Sequence, residues 1–209
     1  SYHDVSDYQK ALEMYKQCYD LSQTNYGLKN RDTLLYLYSL GMAYNDIGDN
    51  RKAYDMIQEA YYMQKSILGE TDIDTLKSMK ELGIIANQLG FHQEAVNILE
   101  NCYDMFKEYY GKDHNETISV YSCLGKLYLN LKEYAKAQEV LSNVYQIRKE
   151  RLGQTHVYTL ITLSDLSTVY YQIGEYQKSL ELAKKAYITM KENYGEKYNH
   201  CLDMLQNYI

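Results

Sequence analysis

LGETDIDTLKSMKELGIIANQLGFHQEAVNILENCYDMFKEYYG, residues 68–111, opens and closes on a glycine that follows a large side chain, and the interval recurs along the chain. Gly27, Gly69, Gly111, Gly153 and Gly195 are spaced 42 residues apart, each preceded by Tyr or Leu (Tyr26, Leu68, Tyr110, Leu152, Tyr194). Thr33, Thr75, Thr117 and Thr159 each trail a glycine by six residues. Self-similarity at a fixed period of this length marks a solenoid, in which each repeat is one supersecondary unit stacked on its neighbours.

Within residues 68–111 the apolar residues step by three and four, the helical period. Leu76, Met79, Leu82 and Ala86 form one stripe; a turn at Gly90 follows; then Ala95, Leu99 and Cys102 form a second. The repeat is therefore a pair of helices. The same positions give Leu34, Leu37, Leu40 and Tyr44 with Ala53, Ile57 and Ala60; Ile118, Tyr121, Leu124 and Tyr128 with Ala137, Leu141 and Val144; and Leu160, Leu163, Leu166 and Tyr170 with Ser179, Ala183 and Ala186. The chain divides into a half-unit 1–27, full units 28–69, 70–111, 112–153 and 154–195, and a partial unit 196–209, about ten helices in one array. In the first half-unit, Asp7 is expected to cap a helix running to Tyr26, with Ala11, Tyr15 and Cys18 facing inward; Leu202 keeps the phase in the last. Asn30 or Asp32 is expected to cap the first helix of unit 28–69. Gly41, Gly83 and Gly125 sit on the core stripe, where a missing side chain lets the paired helix approach; Ser167 replaces them in the last full unit. Turns at Gly48, Gly90 and Gly174 have a counterpart at 130–133 that lacks glycine. Half-units at both ends are expected of a fragment of a larger protein.

Composition narrows the function. A net charge of −6 disfavours a nucleic-acid surface, which needs a basic stripe, and disfavours docking on anionic membranes. No apolar run approaches the roughly 20 residues that span a bilayer. Cys18, Cys102, Cys123 and Cys201 form no C-x-x-C pair, and free thiols in a cytoplasmic protein are expected. Proline is absent, so nothing breaks a helix from within, and 26 tyrosines dominate the aromatics. His114 and His156 share a repeat phase in loops but lack further ligands nearby, so loop capping or solvent exposure is expected there and no metal site. The glycines are dispersed, no nucleophile motif is present, and no cofactor or catalysis is expected.

The run Leu40-Gly41, Tyr44, Ala53 and Ala60 resembles the tetratricopeptide repeat pattern L-G-x-x-Y…A…A, and Leu124-Gly125, Tyr128 and Ala137 match again. The 42-residue period and Gly111-Lys112-Asp113-His114-Asn115-Glu116-Thr117 look like the kinesin-light-chain subtype, whose linking segment is G-x-D-H-P-x-T; Asn115 stands at the proline. Where cargo-binding kinesin light chains carry Asn in an L-x-N-L-A run, this chain has Ser39, Glu81, Cys123 and Asp165. The resemblance implies an all-α, right-handed superhelical solenoid of antiparallel helices that binds proteins in a concave groove.

In such arrays the groove is lined by a second stripe of each first helix. Here it reads Leu35, Tyr38, Met42, Asn45; Lys77, Lys80, Ile84, Asn87; Ser119, Ser122, Lys126, Leu129; and Ile161, Ser164, Thr168, Tyr171. These sixteen positions are the candidate partner-binding residues; the alternative is that Leu35, Tyr38 and Met42 pack on the next first helix. No acid occurs among them, so Lys77, Lys80 and Lys126 are expected to form a positive floor for a peptide or helix with acidic residues after an apolar anchor. Two further roles remain open: a sensor array in a signalling or defence protein fused to a nucleotide-dependent switch or protease, and end-to-end self-association.

Overall fold

The computed structural model describes residues 2–195, with side chains from Tyr8 onward. Among the described residues there are nine α-helices and no strand: α1 (Tyr2–Tyr26), α2 (Arg31–Asp46), α3 (Asn50–Ile67), α4 (Ile73–Gln88), α5 (His92–Tyr110), α6 (Asn115–Asn130), α7 (Tyr134–Leu152), α8 (Val157–Gln172) and α9 (Tyr176–Tyr194). The first-helix expected over 196–209, with Leu202, lies outside the described residues, as does Cys201. The helices group into two compact units, one closing at Thr117 and the other opening at Ile118.

The 42-residue glycine has a backbone reason. Gly111 closes α5 at φ 87°, ψ 157°, a region open in practice to glycine alone. No heavy atom would meet a Cβ there, so conformation and not space fixes the residue. The threonine six residues on is fully buried in every repeat described. Thr117 Oγ1 lies 2.8 Å from the Gly111 carbonyl and 3.3 Å from that of Phe106, tying the start of α6 to the end of α5. Thr33 does the same work by sharing a 2.7 Å hydrogen bond with Ser22 of α1. Of the two candidate caps for α2, Asn30 is the one used: its Oδ1 accepts from the amides of Asp32 and Thr33 at 2.8 and 3.3 Å. His114 and His156 are caps too, their Nδ1 atoms accepting from the amides of Glu116 and Tyr158.

The first unit holds α1 and the hairpins α2–α3 and α4–α5. Their cores are the expected stripes: Leu34, Leu37, Leu40, Leu76, Met79 and Leu82 are at most 5% exposed. A Cβ on Gly41 would come within 2.9 Å of Ile57, and one on Gly83 within 2.7 Å of Leu99, so both glycines mark close helix approaches as expected. Two expectations for α1 are corrected. The helix starts at Tyr2, which puts Asp7 inside it and not at its cap. Its buried apolar residue is Leu12, clustered with Leu40 and Ala43 of α2, while Tyr15 is exposed. Tyr15 shares the register of Ile57 and Leu99, which bury against the glycine of their own hairpin partner; α1 instead packs on α2.

The second unit holds most of α6, α7 and the hairpin α8–α9. Gly125 repeats the close approach, with a would-be Cβ 2.7 Å from Leu141. In α8–α9 the contact is inverted in size: Ser167 replaces glycine and Ala183 replaces the leucine. The Ser167 hydroxyl donates to the Ser164 carbonyl at 2.6 Å, and Ser179 donates to the Ser167 carbonyl at 2.8 Å. In the turn without glycine, Lys132 takes the left-handed backbone at φ 62°, alone among the described non-glycine residues. A further buried apolar position recurs at one register in each unit, Ala43 and Ile85 in the first and Leu127 and Val169 in the second.

Candidate functional site

The sixteen candidate positions fall into three kinds. Leu35, Tyr38, Met42, Lys77, Lys80 and Ile84 in the first unit are half-buried, as are Ser119 and Leu129 in the second. They belong neither to the sealed hairpin core nor to free surface. A second group is used up by the fold. Ser122 is buried, Ile161 packs against the core cluster of Leu160, Leu163, Ala186 and Met190, and the Thr168 hydroxyl donates to the backbone carbonyl of half-buried Ser164 within α8. Asn87 meets His92 Nδ1 at 2.8 Å across its turn, so it braces the hairpin tip. Asn45, half-buried, holds the same register at the tip of α2. The third group is open: Lys126 is exposed, and Tyr171 is 53% exposed at the tip of α8, its ring 5.4 Å from that of Tyr176.

Charge on the first unit departs from expectation. Lys80 Nζ lies 3.2 Å from Glu81 and 3.0 Å from Glu116 in the first turn of α6. Burial alone would lower its pKa, but Glu81 and Glu116 outweigh burial and hold the ammonium charged above the usual lysine range. Arg31 at the start of α2 likewise bridges two carboxylates, Asp72 at 3.2 Å and Asp74 through its Nε at 2.9 Å. Tyr38 stands in the field of this group: burial first, then Glu81, pushes its hydroxyl up to about 12, with Lys80 opposing. The expected positive floor is thus corrected at Lys80, because carboxylates outside the sixteen positions already enclose the cation. Glu81 occupies the register position noted for its departure from Asn, and Glu116 lies in the linking segment 111–117. Each was visible singly; their convergence on one lysine 36 residues from Glu116 was not.

In the second unit the same register carries Asp165, which pairs with Lys126 at 3.4 Å. Arg148 of α7 reaches this region as well. Its Nη1 donates to Thr162 Oγ1 at 2.7 Å and to the Tyr158 carbonyl at 3.3 Å. Burial lowers the Arg148 pKa and Asp165 opposes that shift. Here one carboxylate faces two cations, the reverse of the first unit, where each cation faces two carboxylates. Arg148 shares its register with Gln64, whose Oε1 accepts from Ser78 at 2.6 Å. Each unit thus pairs a polar side chain at this register with a hydroxyl 14 residues further on, Ser78 in the first unit and Thr162 in the second.

The fold recurs in solved structures. The chain is similar in structure to the nearly identical TPR-like repeats of a Podosopora anserina putative kinesin light chain, with a TM-score of 0.73, 21% identity, and coverage of 90% of each chain. It is similar to BtubC (BKLC) from P. vanneervenii, with a TM-score of 0.71, 18% identity and coverage of 92% of each chain. It is also similar to the apo form of RapI, with a TM-score of 0.77, 14% identity, and coverage of 95% of this chain and 70% of that one. At these identities the likeness concerns the fold. A search among curated proteins finds no match. The tetratricopeptide repeat family model matches residues 1–66, 72–129 and 116–192. A 42-residue helix-pair register kept by its glycines, together with a family match over most of its length, shows that the chain belongs to the tetratricopeptide repeat family.

Proposed function

We propose that the chain is a protein-interaction module, part of a scaffold or adaptor, that holds a partner's peptide or helix along the stripe of the first helices and acts by binding, not by catalysis. One observation carries this reading. Leu35, Tyr38, Met42 and Ile84 remain half-buried although the hairpin cores are closed by other residues. Apolar side chains held at a surface, with polar groups around them, are what an interface presents. Residues 1–209 are taken as one array in this proposal, and a cytoplasmic setting is part of it; the sequence has no C-x-x-C pair. An acidic partner is no longer part of it, since Lys80 is enclosed by Glu81 and Glu116.

Tyr38 is the anchor to test. A pull-down with the 209-residue chain followed by peptide mapping yields the partner segment, and calorimetric titration measures its affinity. Tyr38→Ala is expected to weaken binding by about 2 kcal/mol, the size of an aromatic hot spot. Tyr38→Ala and Ile84→Ala both binding like the parent, with helicity unchanged, would move the function to the second-helix face or to the loops between repeats.

A further inference from the structure

We infer that the partner segment seated on the first unit is cationic, carrying Lys or Arg beside an apolar anchor. This deepens the reading above and rests on it. Two clusters set the charge around Tyr38. Lys80 lies between Glu81 and Glu116, and Arg31 lies between Asp72 and Asp74. Two cations against four carboxylates leave a net charge of −2, and Lys77 on the same stripe reduces it only to −1. The carboxylates are partly buried, at 14% exposure for Glu81, 25% for Glu116 and 15% for Asp74, so water screens them less than it screens a free surface charge. The first-turn acids Asp74 and Glu116 also complement their helix dipoles, but Glu81 lies in the middle of α4 and has no such role.

Apolar surface and charge coincide here. Tyr38 is half-buried, with Glu81, Lys80, Glu116 and Asp74 all acting on its hydroxyl. A cation approaching the Tyr38 ring meets both the aromatic face and an excess of carboxylate. The chain uses the same chemistry within itself: Lys52 lies 5.3 Å from the centre of the Tyr44 ring, Lys136 lies 5.0 Å from that of Tyr128, and Lys178 lies 4.0 Å from that of Tyr170. An acidic segment would instead bring its carboxylates against Glu81 and Glu116, and such like-charge contact rejects a partner.

A random-peptide display library panned on the intact chain tests the inference, with enriched peptides resynthesised and titrated by fluorescence anisotropy. Enriched sequences are expected to carry net positive charge around an aromatic or aliphatic residue. Glu81→Gln combined with Glu116→Gln should weaken them about tenfold at low salt and less at high salt. Lys80→Met frees both carboxylates and should tighten the same peptides several-fold, a gain that misfolding cannot imitate. Neutral or acidic enriched peptides that are still lost on Tyr38→Ala would overturn the charge inference and leave the stripe as the binding face. Enriched peptides indifferent to Tyr38→Ala, or no enrichment at all, would overturn both. Basic peptides that need Tyr38 but ignore the Glu81, Glu116 and Lys80 variants would overturn the charge inference alone.

Discussion

Hairpins α4–α5 and α8–α9 occupy the same frame two repeats apart and solve its tightest contact in opposite ways. In α4–α5 the first helix gives up its side chain at Gly83 and the second fills the space with Leu99; a Cβ on Gly83 would sit 2.7 Å from Leu99 Cγ. In α8–α9 the first helix keeps a small polar side chain, Ser167, and the second retreats to Ala183. Relative to α4–α5, bulk is added on the first helix and removed from the second, so the close crossing is kept although neither residue is, as close packing demands. The exchange has a polar consequence. Ser167 brings a hydroxyl into a sealed contact, and it is satisfied within α8 by the Ser164 carbonyl, while Ser179 at the usual alanine position donates to the carbonyl of Ser167.

Truncating the large member of the α4–α5 pair is the most damaging way to break this comparison. Leu99→Ala leaves a cavity opposite a glycine that cannot fill it and is expected to cost about 2–5 kcal/mol in urea unfolding. An effect below 1 kcal/mol would mean the hairpin can close over the gap. Next is Ala183→Leu, which should overpack Ser167 by about 1–3 kcal/mol. Adding Ser167→Gly should recover most of that loss, because the double variant recreates the α4–α5 pair, and an additive result would refute the volume exchange. Gly83→Ala is expected to cost about 1–3 kcal/mol despite its gain in helix propensity, and less in a Leu99→Ala background.

A third difference separates the same hairpins. Tyr170 in α8 is covered by Lys178, whereas α4 has Ala86 there and Glu94 at the lysine position, and Glu94 accepts the Tyr54 hydroxyl of α3 at 2.6 Å. Burial, then this carboxylate, pushes the Tyr54 hydroxyl up to about 12, and burial does the same to Tyr38. The folded state therefore resists ionising these tyrosines more than the unfolded chain does. Their contribution is complete below pH 10 and is lost as the pH rises toward 12. Tyr38→Phe with Tyr54→Phe should flatten the fall in stability between these limits, measured as unfolding midpoints from pH 9 to 12. An unchanged slope would sink this assignment. The smallest expected effect lies at the turn before α7. Lys132→Gly relieves a left-handed residue at the position of Gly48, Gly90 and Gly174 and should raise stability by about 0.5–1 kcal/mol in thermal melts.

The helix pairs, their boundaries to within a few residues, and the close-approach glycines were legible because each depends on local rules repeated every 42 residues. The candidate stripe was legible only as a list. It could be listed because residues three and four apart share a helix face. What the register could not show was which members the fold consumes, as with Ser122 and Ile161, and which neighbours from other helices modify the rest, as Glu81 and Glu116 do for Lys80.

By itself the sequence determined the period, the helix pairs and the family, because backbone conformation at Gly111 and apolar spacing along a helix are properties of neighbouring residues. Tertiary structure decided the sign of charge around Tyr38 and the trade between Gly83–Leu99 and Ser167–Ala183. Both depend on distances between residues remote in the chain, and electrostatic and packing energies are set by those distances and not by composition.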